Sequence, residues 1–174
     1  MKSLLILFIT AVAVLFVGLT KKRTAIQVVR LSGGVLALGA AIWDLNGGSW
    51  FNELYAPMFR FDTYALSFTV AILLMSLLLF GFTRWGFREL NDTLGDHYAL
   101  VLFSMCGALC LFSFTNMVMF FLGIEILSIP LYVLAGSRRD DLRSNEAAMK
   151  YFLMGSFATG ILLFGIALVY GATA

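Results

Sequence analysis

Glu125 is the residue whose type and position point most directly to chemistry. It is the only charged residue between Tyr98 and Ser137, 9 residues from Asn116 and 11 from Gly136. A carboxylate near the middle of a membrane span costs about 2.5–3.5 kcal/mol on insertion scales for the related Asp, so it persists where function needs it. We interpret Glu125 as a protonatable site. The alternative is a protonated acid that only hydrogen-bonds a neighbouring helix.

Ser128 and Pro130 follow Glu125 on the same predicted helix. Pro130 removes one backbone hydrogen bond and clashes with the carbonyl of residue 126, so the helix is expected to bend or open beside the carboxylate. Ser128 lies about one turn from Glu125, where its hydroxyl is expected to hold a water molecule.

Lys150 is the second candidate, about 7–8 Å inside the cytoplasmic end of the last predicted span. Glu146 precedes it by four residues and can pair with it on the same helix face, which is the simpler explanation of a lysine that extends to the headgroups. Glu125 lies about 8–9 Å deeper at 1.5 Å per residue, so a direct bridge would be strained and a water relay easier. Glu125 and Lys150 together have the parts of a proton path.

The other reactive side chains give weaker evidence of chemistry. Cys106 and Cys110 lie one helical turn apart, but two thiols are too few for a metal site, and free Cys fills apolar cores. No metal is therefore predicted. His97 is expected at a membrane boundary beside Asp96. Small residues at five glycine positions are expected to allow close helix approach. They are Gly33, Gly34, Gly39, Gly155 and Gly160.

Composition places these residues in a membrane. The chain is 61% hydrophobic and 13% charged, with a mean hydropathy of +0.93. Soluble domains carry about a quarter charged residues, so a soluble enzyme domain, a nucleic-acid binder and a disordered tail are excluded. The lipid bilayer is the expected surrounding, and no nucleic-acid partner is predicted.

Charge-free stretches of about 20 residues predict an all-α, polytopic membrane protein with six transmembrane helices. Residues 98–137 are twice that length, so they predict two helices joined by a turn at Ser113–Asn116. Arg30 interrupts the second span, where its side chain is expected to extend to the interface. The last helix is expected to start near Asn145, as a cap. The predicted spans are Ser3–Thr20, Ala25–Trp43, Thr63–Thr83, two within Tyr98–Ser137, and Tyr151–Ala174.

Basic residues are divided unequally between the two membrane faces. Cytoplasmic connections are enriched in Lys and Arg, which places both termini outside the cytoplasm. Residues 1–95 are predicted to form a bundle of helices 1–3 with an external loop at 46–62, and residues 96–174 form helices 4–6, within a single membrane domain. Nine basic residues lie on one face: Lys21, Lys22, Arg23, Arg30, Arg84, Arg88, Arg138, Arg139 and Arg143; Lys2 and Arg60 lie on the other.

Three segments carry a resemblance to a known family: FLGIEILSIPLYVLAG at 121–136, the pair Arg138-Arg139, and EAAMKYFLMGSFA at 146–158. Together they closely resemble subunit N of bacterial respiratory complex I, an antiporter-like, proton-pumping subunit of NADH-quinone oxidoreductase that corresponds to mitochondrial ND-two. The first two helices are less diagnostic.

The resemblance implies an N-terminal portion of an antiporter-like fold in the bacterial cytoplasmic (inner) membrane. Glu125 matches the family's fifth-helix glutamate and Lys150 a sixth-helix lysine, both in a polar axis that passes protons while quinone is reduced elsewhere. It implies no cofactor in this chain, with quinone, flavin and iron–sulfur clusters in other subunits. It implies other complex I membrane subunits as partners, including neighbouring antiporter-like ones.

Length is the departure from the family. Family members have about fourteen helices in two inverted repeats, whereas six are predicted here, without the broken seventh helix and its lysine. Two alternatives to a proton-translocating translocase subunit stay open. One is a structural membrane module that docks partners through small-residue faces, and the other is a subunit of a cation/proton antiporter.

Overall fold

A computed structural model describes residues 2–20, 22–46, 58–82 and 94–173 of the chain. These residues form an all-helical protein, as the hydropathy pattern predicts. Five helices are long and apolar enough to cross a membrane, and α1, with 17 residues, is shorter. The six helices are α1 (Lys2–Gly18), α2 (Arg23–Leu45), α3 (Thr63–Phe82), α4 (Leu94–Ser113), α5 (Met117–Ala135) and α6 (Leu142–Thr173).

The turn between α4 and α5 lies at the predicted position. The Asn116 side chain caps α5 by accepting a hydrogen bond of 2.8 Å from the Met119 backbone amide, which satisfies one of the amides left free at a helix start. The segment before α3 pairs with this turn, because the Arg60 amide donates to the Ser113 carbonyl at 2.7 Å. These contacts fix the ends of α3, α4 and α5 on one face of the membrane.

The start of α6 differs from the prediction. The helix begins at Leu142, three residues before Asn145. The Asp141 side chain accepts a hydrogen bond of 3.0 Å from a first-turn backbone amide, that of Arg143. The side-chain amide of Asn145 instead donates to the Arg139 carbonyl at 2.9 Å. A carboxylate is also favoured by the helix dipole at this end, and the sequence interpretation overlooked Asp141.

Helices α1 to α4 pack as a closed ring, to which α5 and then α6 are added. α1 packs against α2 and α4, α3 against α2 and α4, α5 against α4, and α6, among the six described helices, against α5 alone. The buried core lies among α1, α2, α3 and α4 and includes Leu7, Val14, Leu73 and Leu102. The proposed division near residue 95 stays a prediction, and most of the predicted external loop, residues 47–57, lies outside the described residues.

The membrane face at which α1 ends and residues 136–141 connect α5 to α6 is called the basic side. On the opposite face, Lys2 Nζ of α1 lies 3.3 Å from Asp44 Oδ1 of α2. The first two helices are therefore tied together at that end by opposite charges.

Arg30 does not extend to the interface as predicted; it is 1% exposed. Its guanidinium carbon lies 3.8 Å from the ring centroid of Tyr98 and 4.8 Å from that of Phe80, and Nη2 donates to the Phe80 carbonyl at 3.2 Å. Phe80 is in the last turn of α3, where carbonyls lack helical partners and a cation is favoured. Two aromatic faces and a helix end thus hold the charge inside the bundle.

Glycines set the closest helix contacts, but not all the predicted ones. Gly33 faces Thr10 of α1, whereas Gly39 and Gly160 have no neighbour within 4 Å of a built Cβ. The tightest backbone contact, which sequence analysis missed, is Gly107 of α4. A Cβ there would lie 2.3 Å from the Leu127 backbone nitrogen of α5, so only glycine fits.

Replacing Gly107 by alanine is expected to destabilise the α4–α5 pair by about 1–3 kcal/mol, the usual effect of overpacking a filled site. Thermal denaturation of the membrane-extracted protein measures the loss. Gly39→Ala is the matched control, since its Cβ meets open space. Equal melting temperatures for the two variants would contradict the contact.

Replacing Arg30 by lysine is expected to lower stability by about 1–2 kcal/mol, because an ammonium lacks the planar group that stacks between two rings. The same substitution at exposed Arg23 is the control. The melting temperature of each variant in detergent gives the comparison, and an unchanged value for Arg30→Lys would show that the stacked guanidinium adds no stability.

Candidate functional site

Glu125 lies in the middle of α5 and is half-buried. Its carboxylate makes no hydrogen bond or ion pair with any residue that the structure describes. The helix that carries it is apolar throughout and continues through Pro130 to Ala135. An acid is thus held at the depth of the membrane interior without a described partner in its own chain.

The backbone beside Glu125 is held by α4. Gly107 fits against Ile126 and Leu127, and the Ser104 hydroxyl donates to the Leu127 carbonyl at 3.0 Å. Pro130 cannot supply the amide that would bond the carbonyl of residue 126, so α4 packs where the α5 ladder is interrupted. This packing directs the opposite side of α5, with Glu125, away from α4.

Ser128 is buried, and its hydroxyl donates to the Ile124 carbonyl of its own helix. Such a backbone hydrogen bond is common for Ser within a helix, and the contact of Ser128 with water stays a prediction. Its oxygen lone pairs are still able to accept a hydrogen bond.

Tyr132 is a site residue that sequence analysis quoted but did not single out. It follows Glu125 by seven residues, which places the two on the same helix face at 100° per residue. Its ring packs edge-on against Tyr151 and Phe152 of α6, with centroids 4.9 and 5.9 Å away. A Cβ at Gly155 would lie 2.1 Å from the Tyr132 hydroxyl oxygen. The seven-residue spacing and a glycine in the next helix were the available signals.

Lys150 forms the ion pair with Glu146 that the four-residue spacing suggests, on the surface of α6. Its side chain is 69% exposed. The α6 residues that meet α5, including Ala148 and Gly155, lie on the other side of the helix. Lys150 therefore points away from α5.

The structure does not bring Glu125 and Lys150 together. Ala148 meets Gly136 and Gly155 meets Tyr132, so Lys150 is level with the last turn of α5. Glu125 lies ten residues before Ala135, about 15 Å further along α5 at 1.5 Å per residue. The two predicted site residues lie on adjacent helices but face different neighbours.

Two depressions lie at the basic-side ends of the helices. An open, mostly apolar one of 390 Å³ between the ends of α5 and α6 is lined by residues that include Tyr132, Gly136, Asn145 and Phe152. A smaller one, of 80 Å³, lies between α4 and the α5–α6 turn and is lined in part by His97 and Arg139. His97 is thus half-buried beside Asp96 at the helix end.

Cys106 and Cys110 are both buried free thiols of α4. Across the four described stretches, no group of three or more His, Cys, Asp or Glu side chains is placed to bind a metal ion. The two cysteines pack as apolar residues in the core.

Comparison with known proteins points to the same kind of membrane protein as the site residues do. Residues 114–174, which contain both acids and the lysine of the site, match the membrane family described as NADH:quinone oxidoreductase/Mrp antiporter. NADH-quinone oxidoreductase subunit N of Cytophaga hutchinsonii is 46% identical over 159 residues, covering 91% of this chain and 33% of the relative. Over most of its length the chain is similar to about a third of NADH-quinone oxidoreductase subunit N.

Two further matches cover nearly the whole chain. The one from Flavobacterium psychrophilum is 39% identical over 171 residues, covering 97% of this chain and 37% of the relative. A chain of respiratory complex I from Thermus thermophilus with bound aureothin superposes with a TM-score of 0.74 at 31% identity, over 98% of this chain and 37% of that one. The chain spans about a third of the length of these subunit N relatives.

A disulfide test checks the α5–α6 register on which the separation of the site residues depends. A Cβ built at Gly136 lies 2.9 Å from that of Ala148. The double variant Gly136→Cys/Ala148→Cys is therefore expected to cross-link on mild oxidation, because its Cβ atoms lie close to the spacing of about 3.5–4.5 Å in disulfides. Gly136→Cys with Lys150→Cys is expected to stay reduced.

Loss of maleimide labelling at the paired cysteines measures the cross-link, with Cys106 and Cys110 replaced by alanine in both variants. Cross-linking of the pair with Lys150→Cys as fast as that with Ala148→Cys would contradict the orientation of Lys150.

Proposed function

We propose that this chain acts as part of the membrane domain of a proton-pumping NADH:quinone oxidoreductase, contributing to proton translocation coupled to quinone reduction. The observation that carries the proposal is Glu125, a half-buried carboxylate in the middle of α5 with no described partner, set beside Pro130. Ionisable groups inside membrane spans mark ion and proton pathways. Homology to subunit N supports the same activity.

Glu125 is the residue that binds and releases the proton in this proposal. Ser128 and Pro130 shape its surroundings, the first by its hydroxyl and the second by interrupting the backbone ladder. Lys150, paired with Glu146, acts on the side of α6 that faces away from α5, toward the neighbour that covers the helix. The proton path thus continues beyond the residues of this chain.

The remaining features of the proposal concern the setting. The basic side faces the cytoplasm, in keeping with the excess of Lys and Arg there, and the membrane is the bacterial inner membrane. The chain itself carries no redox cofactor, and the electron-transfer groups belong to other subunits. α6 exposes a long apolar surface, with Phe157, Phe164 and Leu168 among its residues, and this surface suits lipid and further membrane subunits.

Glu125→Gln is expected to lower proton translocation by roughly 10-fold or more, because the amide keeps the shape of the acid but cannot exchange a proton as an acid does. Proton uptake during NADH oxidation in inverted vesicles measures the effect, in the fully assembled complex. Asp140→Asn, at an exposed position of the α5–α6 turn, is the control.

Ferricyanide reduction by NADH checks that the soluble part of the complex is intact in each variant. Full proton translocation by assembled Glu125→Gln complex would contradict the proposal and favour a structural module. Cation-dependent transport without NADH or quinone would favour a cation/proton antiporter instead.

A further inference from the structure

We propose that the outer faces of α2 and α3 form a surface that contacts bilayer lipid rather than another membrane subunit, with Trp43 and Tyr64 at the boundary between acyl chains and headgroups. That boundary lies on the membrane face opposite the basic side. The proposal goes beyond the proposed function, because it concerns a surface apart from Glu125. The surface, called the α2–α3 flank, consists of Val28, Val35, Leu36 and Trp43 of α2 and of Tyr64, Phe68, Met75 and Leu78 of α3.

The α2–α3 flank is made of large apolar and aromatic side chains. Its eight residues are between 43 and 70% exposed. They lie on one side of each helix, since the buried residues of α2 and of α3 lie on the other. The two helices pack side by side in the ring of α1 to α4, so their outer faces join in one apolar surface.

The small residues of α2 are used inside the bundle. Gly33 fits against Thr10 of α1 and Gly34 against Leu77 of α3. Contacts between membrane helices are enriched in small residues, because these let the backbones approach closely. Since the small residues of α2 face inward and the large ones outward, the outer face suits flexible acyl chains better than a partner helix.

Gly39 is the exception, an exposed glycine on the outer face of α2 with no neighbour within 4 Å of a built Cβ. Its neighbours four residues away on that face are Val35 and Trp43, which are both large and exposed. Close helix approach needs small residues at such a spacing. Gly39 alone therefore does not form a docking groove.

The length of the α2–α3 flank matches the hydrocarbon region. Arg23, exposed at the basic-side end of α2, and Trp43 are 20 residues apart, which is about 30 Å at 1.5 Å per residue and equals the usual thickness. Exposed hydroxyls within this length bond their own helices: Ser32 donates to the Val29 carbonyl at 3.1 Å, and Ser67 donates to the carbonyl of residue 63 at 2.7 Å. Such groups need no partner from the lipid.

Trp43 and Tyr64 mark the end of this apolar band. They lie in the last turn of α2 and the first turn of α3, on the same membrane face, and each is 70% exposed. The Tyr64 ring packs on Phe68 with centroids 4.7 Å apart, which holds it at the surface. Just before α3, the exposed pair Arg60 and Asp62 is 3.0 Å apart. Amphipathic rings next to charges are typical of the membrane–water interface.

The exposed side of α6 has a different character. Gly160, Gly165 and Gly171 meet nothing within 4 Å of a built Cβ, so small residues are left open there, as helix–helix contacts require. Neighbouring subunits are therefore expected at α6, and the α2–α3 flank is expected at the outer surface of the assembly.

Photolabelling with lipids tests the α2–α3 flank in native membranes. The membranes are fused with vesicles of phosphatidylcholine that carries a diazirine either next to the glycerol or at the end of one acyl chain. After illumination, the chain is isolated and its labelled residues are identified by mass spectrometry. We expect the shallow probe to label Trp43 and Tyr64 about threefold more than the deep probe does, because the rings lie at the headgroup boundary.

Leu36 is the matched control for depth, because it lies on the same face of α2 as Trp43 and seven residues, about 10 Å, deeper. It is expected to show the opposite preference. Tyr98, which is 3% exposed, is expected to be labelled by neither probe. Equal labelling of Trp43 by the two probes, or stronger labelling by the deep one, would overturn its place at the boundary.

A covering subunit gives a different result. If Trp43, Tyr64 and Leu36 stay unlabelled while other membrane segments of the same sample are labelled, protein covers the α2–α3 flank and the proposal is overturned. This outcome does not touch the proposed function, which depends on Glu125→Gln. Conversely, full translocation by that variant together with the expected labelling would overturn the function and leave the lipid-facing surface in place.

Discussion

The contact of Gly107 with the backbone of α5 is the constraint on which the arrangement of the site depends. It brings α4 against Ile126 and Leu127, where Pro130 weakens the helix ladder, and the Ser104 hydroxyl adds a hydrogen bond at the same level. Since one side of α5 is occupied in this way, Glu125 and Tyr132 turn toward the other side. The orientation of the acid is thus a result of backbone packing rather than of a bond to the carboxylate itself.

The polar groups of the bundle fall into two kinds. Arg30, Lys2 and Asp44 are held by aromatic rings, a helix end or an opposite charge, and they join helices within the chain. Glu125 has no such partner among the described residues. In the proposed function this acid takes up and releases the proton, because no opposite charge among the described residues is bound to it.

Much of the fold follows from the sequence because lipid leaves few choices. Charge-free runs of about 20 residues fixed the number of helices, and the turn at Ser113–Asn116 was predicted because 40 apolar residues exceed one crossing. The start of α6 was misplaced, since Asn145 and Asp141 are both acceptable caps and only the geometry of the turn selects Asp141. The prediction that Arg30 reaches the interface was wrong because its partners, Phe80 and Tyr98, come from helices distant in sequence.

Part of the candidate site could be predicted from the sequence for the same physical reason. A charge in an apolar run identifies Glu125 on its own, and four-residue spacing identifies the Lys150–Glu146 pair. Neither signal says which side of a helix faces which neighbour. The outward direction of Lys150 and the place of Tyr132 depend on how α5 and α6 are rotated against each other, and that rotation is set by Gly136, Gly155 and their partners.

The unequal lengths of α1 and α6 have a consequence for the surrounding lipid. At 1.5 Å per residue, the 17 residues of α1 span about 26 Å and the 32 of α6 about 48 Å, against a hydrocarbon thickness of about 30 Å. Along the exposed side of α1, at Phe8 and Phe16, a difference of about 4 Å is a hydrophobic mismatch that costs fractions of a kcal/mol per Å and is met by thinning of the bilayer or by flanking residues. Such a helix is favoured next to thin lipid or a neighbour with a short span of its own.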